Sequence, residues 1–258
     1  MSRQARKKST TGIYHVMVRG INQQKIFHDD EDCHRYLEIL HRIMQESEQR
    51  VLGYCLMGNH VHMLIADGDD NLSTFMKRLG TSYAGWYNWK YERTGHVFQN
   101  RFKSECVEDE AYLLTVIRYI HQNPVKTGIV PKPEKYRWSS CRAYYGEKEY
   151  PLSLTQTHLI LGILSPEEQQ AQKQFRKYME EENHDECLED NRRERVSDET
   201  ARREMRLLLR GKPISSIQQM ERTERNEILR QIKGIEGVSL RQIARITGIG
   251  LNTIYNAK

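Results

Sequence analysis

His60 and His62 stand two apart inside an otherwise apolar run, Tyr54–Ile65 (YCLMGNHVHMLI). On an extended strand residues i and i+2 point to one side. Both imidazoles therefore project together while Val61, Met63 and Ile65 face the other way. Two adjacent imidazoles can share one divalent metal and leave coordination positions open for a substrate oxygen. An H-x-H pair can equally serve packing alone. A second group lies in Asp109–Asn123 (DEAYLLTVIRYIHQN), where Leu113, Val116, Ile117 and Ile120 form a core stripe at helical spacing. Tyr112, Tyr119 and Asn123 fall on an adjacent stripe off that core, and Tyr119 and Asn123, four apart, are neighbours on a helix. Beside a bis-histidine metal they would supply a nucleophilic oxygen and a third ligand. The plain alternative is a boundary tyrosine and a helix C-cap, because a residue before a proline (Pro124) is pushed out of the helical region.

The elements that must position these groups follow from periodicity. Ile13–Ile21 alternates, with Tyr14, Val16 and Val18 on one side and His15, Met17 and Arg19 on the other, which predicts a strand. Asp29–Gln49 has acids in its first turn and apolar residues at helical spacing, an amphipathic helix. Val51–Met57 and His60–Ala66 are strands joined at Gly58-Asn59, Asn71–Tyr91 is helical, and Phe102–Val107 is a fourth strand before a helix capped by Asp109. The order β-α-β-β-α-β predicts an α+β fold: a ferredoxin-like (RRM-like) antiparallel sheet with helices on one face, plus an extra helix. The pattern changes after Tyr150. The expected division is a first domain over 1–150, an acidic helical connector over 151–194 and a C-terminal all-α module over 195–258.

Composition bounds the rest. The 258 residues carry a net charge of +5, with 38% hydrophobic and 29% charged residues, and no apolar run approaches the ~18 residues of a membrane helix. Five scattered cysteines without a CxxC pair argue against a disulfide framework or a cysteine zinc site and point to a reduced, cytoplasmic protein. Charge is uneven. Residues 166–190 hold nine acids against three bases, and residues 191–258 hold fifteen bases against eight acids. Basic regions at both ends suit a polyanionic partner.

GNHVHMLI together with VIRYIHQNPVKTGIV resembles the single-tyrosine transposases of the HUH endonuclease superfamily, above all the REP-associated tyrosine transposases. YHVMVRGINQQKIFHDDEDCHRYLEIL, GHVFQNRFKSE and YRWSSCRAYYG resemble further blocks of that family in the family's order, so the likeness spans residues 10–147. The resemblance implies a metal-dependent single-stranded DNA endonuclease and strand transferase that cuts near DNA hairpins through a 5′-phosphotyrosine. Its metal ligands would be His60, His62 and Asn123, where other branches carry glutamine, and its nucleophile Tyr119. The implied cofactor is Mg2+ or Mn2+. The alternative is a non-catalytic DNA-binding regulator that keeps the fold. A small-molecule phosphoesterase would have no use for Tyr119.

Substrate contacts are expected where aromatic and basic residues interleave, since rings stack on unpaired bases and cations track phosphates. SYAGWYNWKYERTGHVFQNRFK supplies Tyr83, Trp86, Tyr87, Trp89 and Tyr91 among Lys90, Arg93, His96, Arg101 and Lys103. Arg19, Lys126 and the basic N-terminal tail (Arg3, Arg6, Lys7, Lys8) add further candidates. GVSLRQIARITGIGLNTIYNAK reads as a helix-turn-helix over 239–258, with Arg241, Asn252 and Thr253 available to duplex DNA. The same segment could instead be a small bundle for dimerisation, and monomer and homodimer are both open.

Overall fold

A computed structural model describes residues 7–68, 71–183, 185, 187–188, 197–209, 211–235 and 237–257. Its first unit, Met1–Glu189, contains β1 (Ile13–Arg19), α1 (Asp30–Gln45), β2 (Arg50–Met57), β3 (His60–Ala66), α2 (Leu72–Lys90), β4 (Lys103–Val107) and α3 (Glu110–Lys126). Three shorter helices follow: α4 (Cys141–Tyr144), α5 (His158–Leu164) and α6 (Glu168–Glu180). The sheet order is β2-β3-β1-β4 with every neighbouring pair antiparallel, the ferredoxin-like arrangement expected from the element order.

Strand alternation divides the sheet residues between two cores. Tyr14, Val16, Val61, Met63, Ile65, Tyr54 and Leu56 pack against α1 and α2. The acids that open α1 also cap it: Asp29 accepts from the Asp32 backbone N–H and the Asp32 side chain returns the bond. The extra helix α3 covers the opposite face, where Leu52, Cys55, Met57 and Leu64 meet Leu113, Val116, Ile117 and Ile120. Gly53 lets it come close. A register shift falls between Val51 and Gly53, and a Cβ on Gly53 would run into the Ile117 side chain.

The boundary expected at residue 150 moves. Ile160, Leu161, Ala171, Phe175 and Met179 from α5 and α6 are buried in the α3-side core, so most of the segment read as a connector completes the first unit. Its apolar residues at helical spacing outweigh its acidic composition, because burying them requires only one face of α6. Residues 189–194 of that segment lie outside the described residues.

The second unit, Asp190–Lys258, holds α7 (Asp198–Leu208), α8 (Arg222–Lys233), α9 (Leu240–Thr247) and α10 (Leu251–Asn256). Ala201, Met205, Ile217, Leu229, Ile232, Ile243 and Ile254 form its own core. Gly248 ends α9 at φ 71°, the left-handed conformation that glycine adopts without penalty. Among the described residues no helix is long and apolar enough to cross a membrane, and all five cysteines are free thiols.

Candidate active site

β3 presents His60 and His62 on the α3 side of the sheet, in register with Arg19 and Met17 of β1. On β1's other flank, Met17 pairs with Lys103 and His15 with Glu105. Directly paired residues share a face, so His15, Arg19, His60, His62, Lys103 and Glu105 all belong to one side. The His60 and His62 rings lie 5.0 Å apart at 87°. Helix α3 brings Tyr119 edge-on against His62, with centroids 5.5 Å apart, and against His15 at 5.9 Å. Asn123 follows one turn later. Because α3 starts beside Val107, at the Ile13 end of the sheet, that turn carries Asn123 toward the His60 end.

Two expectations change here. Tyr119 and Asn123 are not off the core: they retain 2% and 8% of their accessible surface, and the Tyr119 ring packs against His62 and His15 of the sheet and beside Lys126. Nor is Asn123 a C-cap. The helix continues through Pro124 to Lys126, which places the amide inside the helix.

Burial sets the protonation of the histidines. His62 is held well below the usual imidazole range, first by burial and then by neighbouring His15, His60 and Arg19; burial pushes His15 down to about 3. Both are neutral and carry a lone pair, the form that binds metals. His62 Nδ1 is 3.0 Å from His15 Nε2, so Nε2 is the His62 nitrogen outside that contact. His60 Nδ1 lies 2.6 Å from Asn59 Oδ1. The Asn123 Oδ1 atom is buried with no hydrogen-bond partner. An orphaned buried acceptor is costly, and a cation would relieve it. Among the described residues no three His, Cys, Asp or Glu side chains gather to hold a metal ion. Two imidazoles on one face of β3 and the orphaned amide oxygen one turn past Tyr119 are donor types that would suit a divalent ion accepting nitrogen and oxygen.

The predicted DNA contacts separate into groups. Arg19 and Lys103 share the site's face of the sheet. Lys126 places Nζ 5.2 Å from the Tyr119 ring centroid while donating to the Asp185 carbonyl at 3.1 Å. Val97–Gln99 docks onto the end of β1, with Ile21 N–H donating to Val97 and Gln99 N–H to Arg19. A Cβ on Gly20, where that strand ends, would collide with the Gln24 carbonyl. This docking holds exposed His96 and Arg101 beside the site end of the sheet. Arg93 leans on the Tyr87 ring. Lys90 does not fit its assigned role. Its ammonium binds Asp29, Glu31 and Asp32 at 2.8–2.9 Å, so its charge is spent pinning α2 to the start of α1. The aromatic surface also shrinks: Tyr83 and Tyr87 are core, Trp86 is partly buried, and Trp89 is 76% exposed. In the second unit Arg241, Asn252 and Thr253 are exposed, while Arg3 and Arg6 lie outside the described residues.

Sequence reasoning passed over His15 and Glu105. The parity of β1, with His15 on Arg19's side, was the available signal, but no spacing rule says which face of a neighbouring strand it will meet.

Residues 8–123 match the family model described as "Transposase IS200 like". A Haemophilus influenzae protein assigned as a REP-associated tyrosine transposase is 27% identical over 109 residues, 38% of this chain. The chain spans 61% of the length of that relative. A solved REP-associated tyrosine transposase bound to a REP hairpin is similar at 16% identity and TM-score 0.48, over 60% of this chain and 98% of that one.

Proposed function

We propose, on the premise that residues 8–123 are an IS200-like transposase domain, that the first unit cuts and rejoins single-stranded DNA near hairpins with Tyr119 as nucleophile. The observation that carries this reading is the edge contact of Tyr119 on His62, one turn from an amide whose buried oxygen has no partner.

In this reading His60, His62 and Asn123 hold Mg2+ or Mn2+, which when bound would draw charge from the oxygens of the scissile phosphate. Tyr119 Oη bonds to phosphorus as the P–O3′ bond breaks. The phenol gives up its proton and the departing 3′-oxygen takes one up, leaving a 5′-phosphotyrosine and a 3′-hydroxyl. Attack by a 3′-hydroxyl reverses the step and returns the proton to Tyr119, so no external energy source is needed. Lys126 favours negative charge at the tyrosine, and Arg19 and Lys103 attract phosphates on the sheet side. Exposed Trp89, His96 and Arg101 suit unpaired bases and backbone beyond the cut. The second unit, with Arg241, Asn252 and Thr253 exposed on α9 and α10, adds contacts to duplex DNA.

Incubation with a hairpin-bearing single strand and Mn2+ tests this. An adduct that survives denaturation and maps to Tyr119 by mass spectrometry is the expected result. DNA binding without any adduct would favour a non-catalytic regulator.

A further inference from the structure

We propose that His15 is a positioning residue that fixes the tautomer and orientation of His62; this rests on the reading of His62 as a metal ligand. Three groups stand in a row across the sheet. His15 Nε2 lies 3.0 Å from His62 Nδ1, and His15 Nδ1 faces Glu105 Oε2 at 4.0 Å. Both of those facing atoms are buried and neither has a hydrogen-bond partner, so what links them is the carboxylate's charge. His15 itself has no accessible surface.

The charge at the end of this row favours one assignment of donors and acceptors. Glu105 Oε2 at 4.0 Å is beyond hydrogen-bond reach, but a nearby negative charge favours the neutral His15 tautomer that carries its hydrogen on Nδ1. In that tautomer His15 Nε2 is a lone pair and accepts. His62 Nδ1 then donates across the 3.0 Å contact, and His62 Nε2 carries the lone pair. The opposite tautomer would turn an N–H toward a cation and abolish the bond. The row thus converts a carboxylate at the β4 edge into an orientation signal two strands away. His15 also contacts the Tyr119 ring, so one side chain seats the ligand and the nucleophile together. Groups behind a metal-binding histidine are commonly worth 10–100-fold in metal affinity.

The test uses the full chain with three variants and two readouts. Long-range 15N NMR of the metal-free wild type should find the His62 proton on Nδ1. His15→Leu should lose that preference and weaken Mn2+ binding roughly 10–100-fold by calorimetry. His15→Gln, whose amide oxygen can accept from His62 Nδ1, should recover most of the affinity. Glu105→Gln, which can donate as well as accept, should mix the tautomers and weaken binding less than His15→Leu. A His62 proton on Nε2 in the wild type overturns the proposal even if no variant folds. So does unchanged Mn2+ affinity in His15→Leu, or failure of His15→Gln to improve on it. A wild type that binds no Mn2+ would instead remove the metal reading, and the NMR result would still decide what His15 does.

Discussion

Tyr119 and His62 meet edge to face across the packing of α3 on β3, with ring planes 80° apart. Such contacts have a preferred geometry, so helix and strand cannot slide without losing it. The relationship separates the hydroxyl from the ring: the ring packs, and the proposed chemistry belongs to the oxygen.

Tyr119→Phe should therefore fold and bind DNA like the wild type, within about 1 kcal/mol in urea unfolding, and form no covalent adduct. Tyr112→Phe is the control, about two turns earlier on the same helix, and should keep the adduct. A nucleotide recovered on Tyr112 would show the assignment to be wrong.

The two histidines should differ when truncated. His62 retains only 2% exposure and packs among His15, His60 and Tyr119, so His62→Ala should lose Mn2+ binding and also about 1–3 kcal/mol of stability. His60, at the open end of β3, is half-buried; His60→Ala should lose Mn2+ binding at much smaller cost in unfolding free energy. Equal destabilisation by the two would argue against this placement of the strand.

Arg118 grips Asp185 at 2.7 and 3.0 Å, and both side chains are 11% exposed. Asp185→Ala would leave the guanidinium with the more distant carboxylate of Glu181 and its contacts to Tyr178, and should cost roughly 1–3 kcal/mol, between exposed and buried pairs. Cys187 reports the undocking. Burial pushes its thiol up to about 12 from 9.0, so at pH 8 the native chain holds almost no thiolate there. Released, the thiol returns toward 9.0, and alkylation at pH 8 should accelerate well beyond the wild-type rate, rising with pH until near 9. Identical alkylation of Cys187 in both proteins would mean that Asp185 does not hold the segment.

Where the chain is cut should separate fold from DNA affinity. Ending it at 189 leaves both sheet-side cores complete, since the second unit's core is built from other residues. That protein should fold, form the adduct, and show a shallower salt dependence of DNA binding than the full chain. Ending it at 150 removes Ile160, Leu161, Ala171, Phe175 and Met179 from the α3-side core. At about 1.5–3 kcal/mol for each large buried side chain, the loss approaches a typical domain's whole stability, so this protein should not fold. Circular dichroism melts of the two decide.

The sequence by itself determined what depends on neighbours in the chain. Alternation put His60 and His62 on one side of β3, the helical repeat put Tyr119 one turn from Asn123, and the acids of Asp29–Asp32 capped α1. These are backbone periodicities of 2 and 3.6, set by local sterics. Only the tertiary structure decided which surfaces those stripes meet. The Tyr119 stripe reads as off-core in the helix alone and is buried because the packing of α3 sets that ring against His15 and His62 of the sheet. Lys90 reads as a free cation until Asp29, Glu31 and Asp32 close around it from another helix. His15 is one more polar residue on a strand until β1 is inserted between β3 and β4, which sets it between His62 and Glu105. No spacing encodes those partners, because strand order and helix packing are fixed by burial of the whole apolar set, which outweighs any single contact.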